Sequence, residues 1–150
     1  MKKVTSHNGF TLIELIIVMV ILGIMAAVAV PRYLDSISNA EKSAEDAVIS
    51  SIRAGLTQFA NNSLYESGRA EWPTNPFEAL SEKPTGHSTD LTDADTDGEW
   101  TFSSGRITHQ RADNSRFEWS YVPGTQGGDN AEIGTLGQRT EIVQQGQQPE

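Results

Sequence analysis

Gly9-Phe10-Thr11-Leu12-Ile13-Glu14-Leu15 opens the stretch that decides this chain, and sixteen uncharged, almost wholly apolar residues, Leu15 to Val30, complete it before Pro31. A membrane-spanning helix needs ~20 predominantly apolar residues. An acid at the centre of such a helix costs ~2.5–3.5 kcal/mol on insertion scales. A plain anchor gains nothing from that penalty, so Glu14 reads as a functional residue whose partner must be named. The partner expected is the N-terminus of a second copy of the chain. The simpler alternative is a glutamate that snorkels to the headgroups from near the helix start.

Ahead of this stretch, Met1 to Gly9 is short and polar and carries Lys2 and Lys3. The positive-inside rule places that end in the cytoplasm. An ordinary signal peptide shares the basic start and apolar run, and Ala27-Val28-Ala29 could serve as its cleavage site. Glu14 counts against that reading, because it burdens an apolar region that works better without it.

Gly9-Phe10-Thr11-Leu12-Ile13-Glu14-Leu15, the unbroken apolar helix behind it and Pro31 resemble the type IV prepilins and pseudopilins. The resemblance covers Lys2 to about Tyr33 and the helical continuation to about Asn61. It implies a leader of residues 1–9 cut between Gly9 and Phe10 by a membrane-embedded prepilin peptidase. It also implies N-methylation of Phe10 and packing of many copies through their N-terminal helices by an inner-membrane assembly platform. The cut would free an ammonium group four residues from Glu14, about one helical turn. In a low-dielectric filament core that charge on a neighbouring subunit can pair with the carboxylate and set the register. Two unit charges at ~4 Å attract by several kcal/mol at an effective dielectric near 20.

After Pro31 the apolar pattern becomes periodic. Ile37, Ala40, Ala44, Val48, Ile52, Leu56 and Phe59 recur three or four apart, which marks one helical face. Asp35, Glu41, Lys42, Glu45, Asp46 and Arg53 fall largely between them. One helix is therefore expected from about Phe10 to Asn61: residues 10–30 in the membrane or filament core, 31–62 as an amphipathic continuation. Pro31 favours a kink and Gly23 adds a second soft point. By resemblance, the stretch between them can lose helicity in a filament. Asn61-Asn62-Ser63 is read as the helix end.

An α+β head is expected over residues 63–123: the long helix packed on a small antiparallel sheet. Glu71 to Pro84 reads as a loop with a short helical turn. Trp100-Thr101-Phe102, Ser103-Ser104-Gly105 and Arg106-Ile107-Thr108 read as a hairpin, and Phe117 to Val122 as a third strand. Residues 124–150, rich in Gly and Gln, are expected as a flexible tail or a flap gripping a neighbour.

Net charge is −9, and would be −11 without Lys2 and Lys3, which argues against a nucleic-acid footprint. Lys83, Arg106, Arg111, Arg116 and Arg139 are too scattered to change this. With no cysteine there is no disulfide, no thiolate metal site and no cysteine nucleophile. The same lack departs from pilins whose head is closed by a C-terminal disulfide loop, which raises a secretion pseudopilin or minor pilin as the alternative to a major pilin. Asp93-Ala94-Asp95-Thr96-Asp97-Gly98, with Asp90 and Glu99, matches the first half of a calcium loop. The twelfth position is Ser104 rather than a bidentate glutamate, and a solvated acidic turn explains the same residues. His87 and His109 read as isolated loop residues, and no catalytic elbow or phosphate loop occurs. The expectation is a structural subunit, not an enzyme, with no cofactor except candidate calcium. It would be an inner-membrane precursor whose mature form lies in an extracellular pilus or periplasmic pseudopilus. From another class, a membrane-anchored periplasmic binding module that never polymerises fits the same sequence.

Overall fold

The computed structural model describes residues 9–124 and 133–143. Its elements are a helix α1 (Leu12–Ser67), a short 3-10 turn (Pro76–Ala79), and strands β1 (Trp100–Ser103), β2 (Arg106–Gln110), β3 (Arg116–Gly124), β4 (Ile133–Leu136) and β5 (Thr140–Glu141). The fold is α+β, one long N-terminal helix with a small antiparallel sheet. The chain divides into two compact units, residues 1–43 and 44–150, with the division inside α1.

In the first unit α1 is helical through both Gly23 and Pro31. Its apolar side chains from Leu12 to Val30 are exposed on every side of the helix. This is the one helix, among the described residues, long and apolar enough to cross a membrane.

The helix does not end at Asn61-Asn62-Ser63 but runs to Ser67. Gly68 stops it: its φ is +75°, and its N–H donates to the Leu64 carbonyl at 3.0 Å. A glycine in the left-handed region is the ordinary C-terminal cap, and it outweighs the turn preference of the two asparagines.

In the second unit α1 buries Glu45, Ile49, Ile52, Leu56 and Ala60. These lie four or three apart, so the buried face is rotated slightly from the predicted stripe. It meets Phe77, Trp100, Ile107, Trp119 and Tyr121 in a single apolar cluster. Gly55 lets the 3-10 turn approach, since a β-carbon there would meet the Ala79 carbonyl oxygen at 2.5 Å. That turn is opened by Asn75, whose side-chain oxygen accepts from the Phe77 N–H at 3.0 Å.

The predicted hairpin is present, with Thr101 opposite Thr108. Ser104 and Gly105, at φ +51° and +76°, form its two-residue turn, the twist that a tight hairpin favours. The sheet runs β1-β2-β3-β4, and β5 also pairs with β3. Part of the expected flexible tail, residues 133–143, thus joins the sheet of its own chain. Residues 1–8, 125–132 and 144–150, which hold the rest of the leader and tail, lie outside the described residues.

Candidate functional site

The helix start is built by Thr11 and Glu14. Thr11 precedes the first helical residue and Glu14 is the third position within α1. Glu14 Oε2 accepts from the Thr11 N–H at 2.9 Å and from its Oγ1 at 2.7 Å. In return the Glu14 N–H donates to Thr11 Oγ1 at 3.3 Å. This is a capping box, which satisfies two of the N–H groups that every helix start leaves open. Thr11 was not among the predicted site residues, although Thr-x-x-Glu ahead of an apolar run signals the arrangement. Gly9 and Phe10 lie outside the helix, and Phe10 is 82% exposed. Gly9 is exposed as well, and the carboxylate held by Thr11 stands one turn further on. Gly23 has open space where a β-carbon would lie, so packing places no demand on it among the described residues. Pro31 is accommodated within the helix.

The acidic loop is held by partners within the chain. Asp93 accepts from Arg106 Nη2 through both oxygens, at 3.1 and 3.2 Å, and Arg106 Nη1 also donates to Glu118 at 2.7 Å. Glu99 Oε2 accepts from the backbone N–H groups of Asp95 (2.9 Å) and Thr96 (3.3 Å). Asp95 accepts from Thr96 Oγ1 at 3.2 Å. Asp90 and Asp97 are exposed. Among the described residues no three of His, Asp or Glu converge to hold a metal ion. The loop is instead laid on the sheet. Ala94 is wholly buried, and its N–H donates to Thr108 Oγ1 at 2.8 Å.

A second carboxylate contradicts its expected place. Glu45 is read from the sequence among the charged residues that fall largely between the apolar positions of the helix, yet it is fully buried. Arg111 holds it with a two-pronged grip, Nε to Oε1 at 2.6 Å and Nη2 to Oε2 at 2.7 Å. Arg139 Nη1 donates to Oε2 at 3.0 Å, and His109 Nδ1 lies 3.1 Å from Oε1. Burial works against the charge of Glu45. The hydrogen bonds from Arg111, His109 and Arg139, with the charge of Arg111, outweigh it and hold the carboxyl down to about 2.

His109 is thus a buried strand residue, stacked on Trp100 with ring centres 4.2 Å apart, not an isolated loop residue. Arg111 lies over the Phe117 ring at 3.9 Å. Arg106, Arg111 and Arg139 are committed to internal acids, and Arg116 donates to Gln110. His87 sits edge-on against Phe77, and burial, with the charge of Lys83, lowers its basicity. Trp100 and Trp119 belong to the core, while Trp72 stacks on Tyr121.

Residues 5–30 match the family pattern described as the prokaryotic N-terminal methylation motif. The fimbrial protein of Neisseria meningitidis serogroup A / serotype 4A is 39% identical over 71 residues, 47% of this chain and 38% of that protein. The type IV narrow pilus major component PilA5 of Thermus thermophilus is 50% identical over 47 residues, 31% of this chain and 40% of the relative. The type II secretion system core protein G of Vibrio cholerae is 38% identical over 89 residues, 57% and 56% respectively. The chain thus spans between 38% and 56% of the lengths of these curated relatives. No solved structure matches it.

Proposed function

We propose that this protein, whose residues 5–30 match the prokaryotic N-terminal methylation motif, is a structural subunit of a type IV pilus filament, made as a membrane precursor and processed by prepilin peptidase. The observation that carries the reading is Glu14, an acid at the start of a helix whose apolar side chains from Leu12 to Val30 stand exposed all round. That surface needs either lipid or other helices, because apolar area removed from water contributes about 25 cal/mol per Å². Lipid fits the precursor, and packed helices of further copies fit the filament.

Cleavage between Gly9 and Phe10 leaves a new amino group four residues from Glu14 along the mature chain, with Phe10 the residue methylated. The carboxylate, held by Thr11 within one subunit, is positioned to receive such an amine from the next. An unpaired charge in a low-dielectric core is strongly unfavourable. The pair therefore selects the axial position at which an incoming subunit stops. Further partners are the peptidase and an inner-membrane assembly platform. The precursor's N-terminus would be cytoplasmic and its head periplasmic.

Adhesion, twitching motility or DNA uptake would follow from filaments at the cell surface. A type II secretion pseudopilin or minor pilin is the second reading. It is favoured by the absence of cysteine and by the larger share of the chain that aligns with core protein G than with the two pilus proteins. The test is mass spectrometry of the mature protein together with microscopy of sheared surface material. The expected product starts at N-methylated Phe10, and Glu14→Ala keeps a folded head but sharply reduces filaments. A mature chain starting elsewhere overturns the processing, and undiminished filaments in Glu14→Ala overturn the register role. Long extracellular fibres favour the pilus, their absence favours the pseudopilin, and no polymer in either compartment indicates a monomeric anchored module.

A further inference from the structure

Residues 133–143, which contain β4 and β5, are attached to the rest of the second unit in an unusual way. The fully buried apolar cluster, from Ile49 and Ile52 to Trp119 and Tyr121, includes no residue of this segment, and only Leu136 packs against it. Ile133 is 53% exposed and Val143 78%. The attachments are polar. Arg53 Nη2 donates to the carbonyls of Leu136 (3.4 Å) and Gly137 (3.1 Å). The Gly137 N–H donates to the Ser120 carbonyl and the Ile142 N–H to the Arg116 carbonyl, both at 2.8 Å. Arg139 lies across the middle. It reaches Glu45 at 3.0 Å and Asp46 at 3.5 Å, and its guanidinium stands 5.8 Å from the centre of the Phe117 ring.

We propose that residues 133–143 are a strap that leaves the sheet as one unit, latched by Arg139 on the buried carboxylate of Glu45. A segment with few buried apolar contacts opens at lower free energy than the core that carries it. Glu45 does not depend on the strap alone. Arg111, gripping both oxygens, and His109 stay with it when Arg139 departs, so the helix and β2 remain joined. Opening uncovers the edge of β3 that β4 and β5 now occupy, at Phe117, Glu118, Tyr121, Val122 and Gly124. An uncovered strand edge is a template for pairing. In a chain without cysteine, this ionic latch closes the C-terminal segment. The inference stands on the second unit alone and does not rest on the filament reading.

Hydrogen exchange on the full chain in detergent micelles tests it. In Arg139→Gln, the Gly137 and Ile142 amides should exchange roughly ten- to a hundredfold faster, the range for losing a hydrogen bond to a charged group. In the wild type the amides of Ile107 and Trp119 should already exchange more slowly than those of Gly137 and Ile142, by about tenfold or more, because the core opens only at higher free energy. Arg139→Lys, which keeps the charge but not the planar fork, should fall between. Asp46→Asn, removing only the longer and exposed contact, should leave the strap protected. Unchanged Gly137 and Ile142 in Arg139→Gln would overturn the latch. Equal protection of strap and core amides in the wild type would overturn the strap as a separable unit.

Discussion

Replacing Glu45 by glutamine removes one negative charge from a site where Arg111, Arg139 and His109 all face it and Asp46 is the neighbouring acid. The shape is nearly unchanged, so the effect is electrostatic. The carboxyl titrates at about 2 when folded, against an ordinary value of 4.5. Because the folded value is the lower one, the stabilisation is complete above pH 4.5 and is lost as pH falls towards 2. At ~1.4 kcal/mol for each tenfold in proton affinity, that interval is worth about 3 kcal/mol. At neutral pH Glu45→Gln strands Arg111 in a buried site, which costs on the order of 3–5 kcal/mol. Thermal unfolding of the full chain in micelles, followed by the fluorescence of buried Trp100 and Trp119, reads both numbers. The wild type should lose about 3 kcal/mol more than Glu45→Gln between pH 4.5 and 2, roughly 12 °C in Tm for a domain of this size. Subtracting one protein from the other removes the distant carboxylates, whose effects are additive. If the two stabilities fall in parallel over that range, the charge on Glu45 is not what the arginines hold, and the reasoning fails.

Gly55→Ala should destabilise the second unit by about 1–3 kcal/mol, because the clash with the Ala79 carbonyl exceeds the helix preference gained; urea unfolding measures it. Thr11→Val removes the hydroxyl that holds Glu14, and should lower helix-start protection in hydrogen exchange by a factor equivalent to about 1 kcal/mol. With Asp93 taken by Arg106 and Glu99 by backbone amides, millimolar calcium should leave Tm unmoved. A rise in Tm would show that the acidic loop regroups around the ion.

The legible parts of this chain are those whose signal is local. A continuous apolar run followed by a three-four repeat predicts α1, and Ser104-Gly105 between alternating residues predicts the hairpin. The helix end escaped because Gly68, beyond a polar stretch, decides it through its φ, whereas Asn61 and Asn62 only carry a propensity. The Glu45 cluster escaped because nothing near Glu45 distinguishes it from the charged face. Its partners are 64, 66 and 94 residues away, and only the folded sheet brings them to it. β4 and β5 escaped for the same reason, since they are short, weakly apolar, and defined by pairing with β3. Thr11 is local too: Thr-x-x-Glu ahead of an apolar run is the pattern of a capping box, so this partner of Glu14 is legible three residues before it.

Two carboxylates on one helix therefore have opposite standing. Glu45 is complete within the chain: two guanidiniums and an imidazole use both of its oxygens, and no solvent reaches it. Glu14 has the bonds from Thr11 to one oxygen and no cation within reach among the described residues. A carboxylate that must lose its water needs a compensating positive charge. In the second unit the sequence itself supplies that charge, so Glu45 serves folding. In the first unit the chain supplies a local cap that aims Glu14 without neutralising it. On the proposed function the cation that answers it is the amine that processing frees on another copy. Neutralising Glu45 should thus injure the monomer, whereas neutralising Glu14 should injure only the assembly, and the two variants separate folding from polymerisation in one experiment.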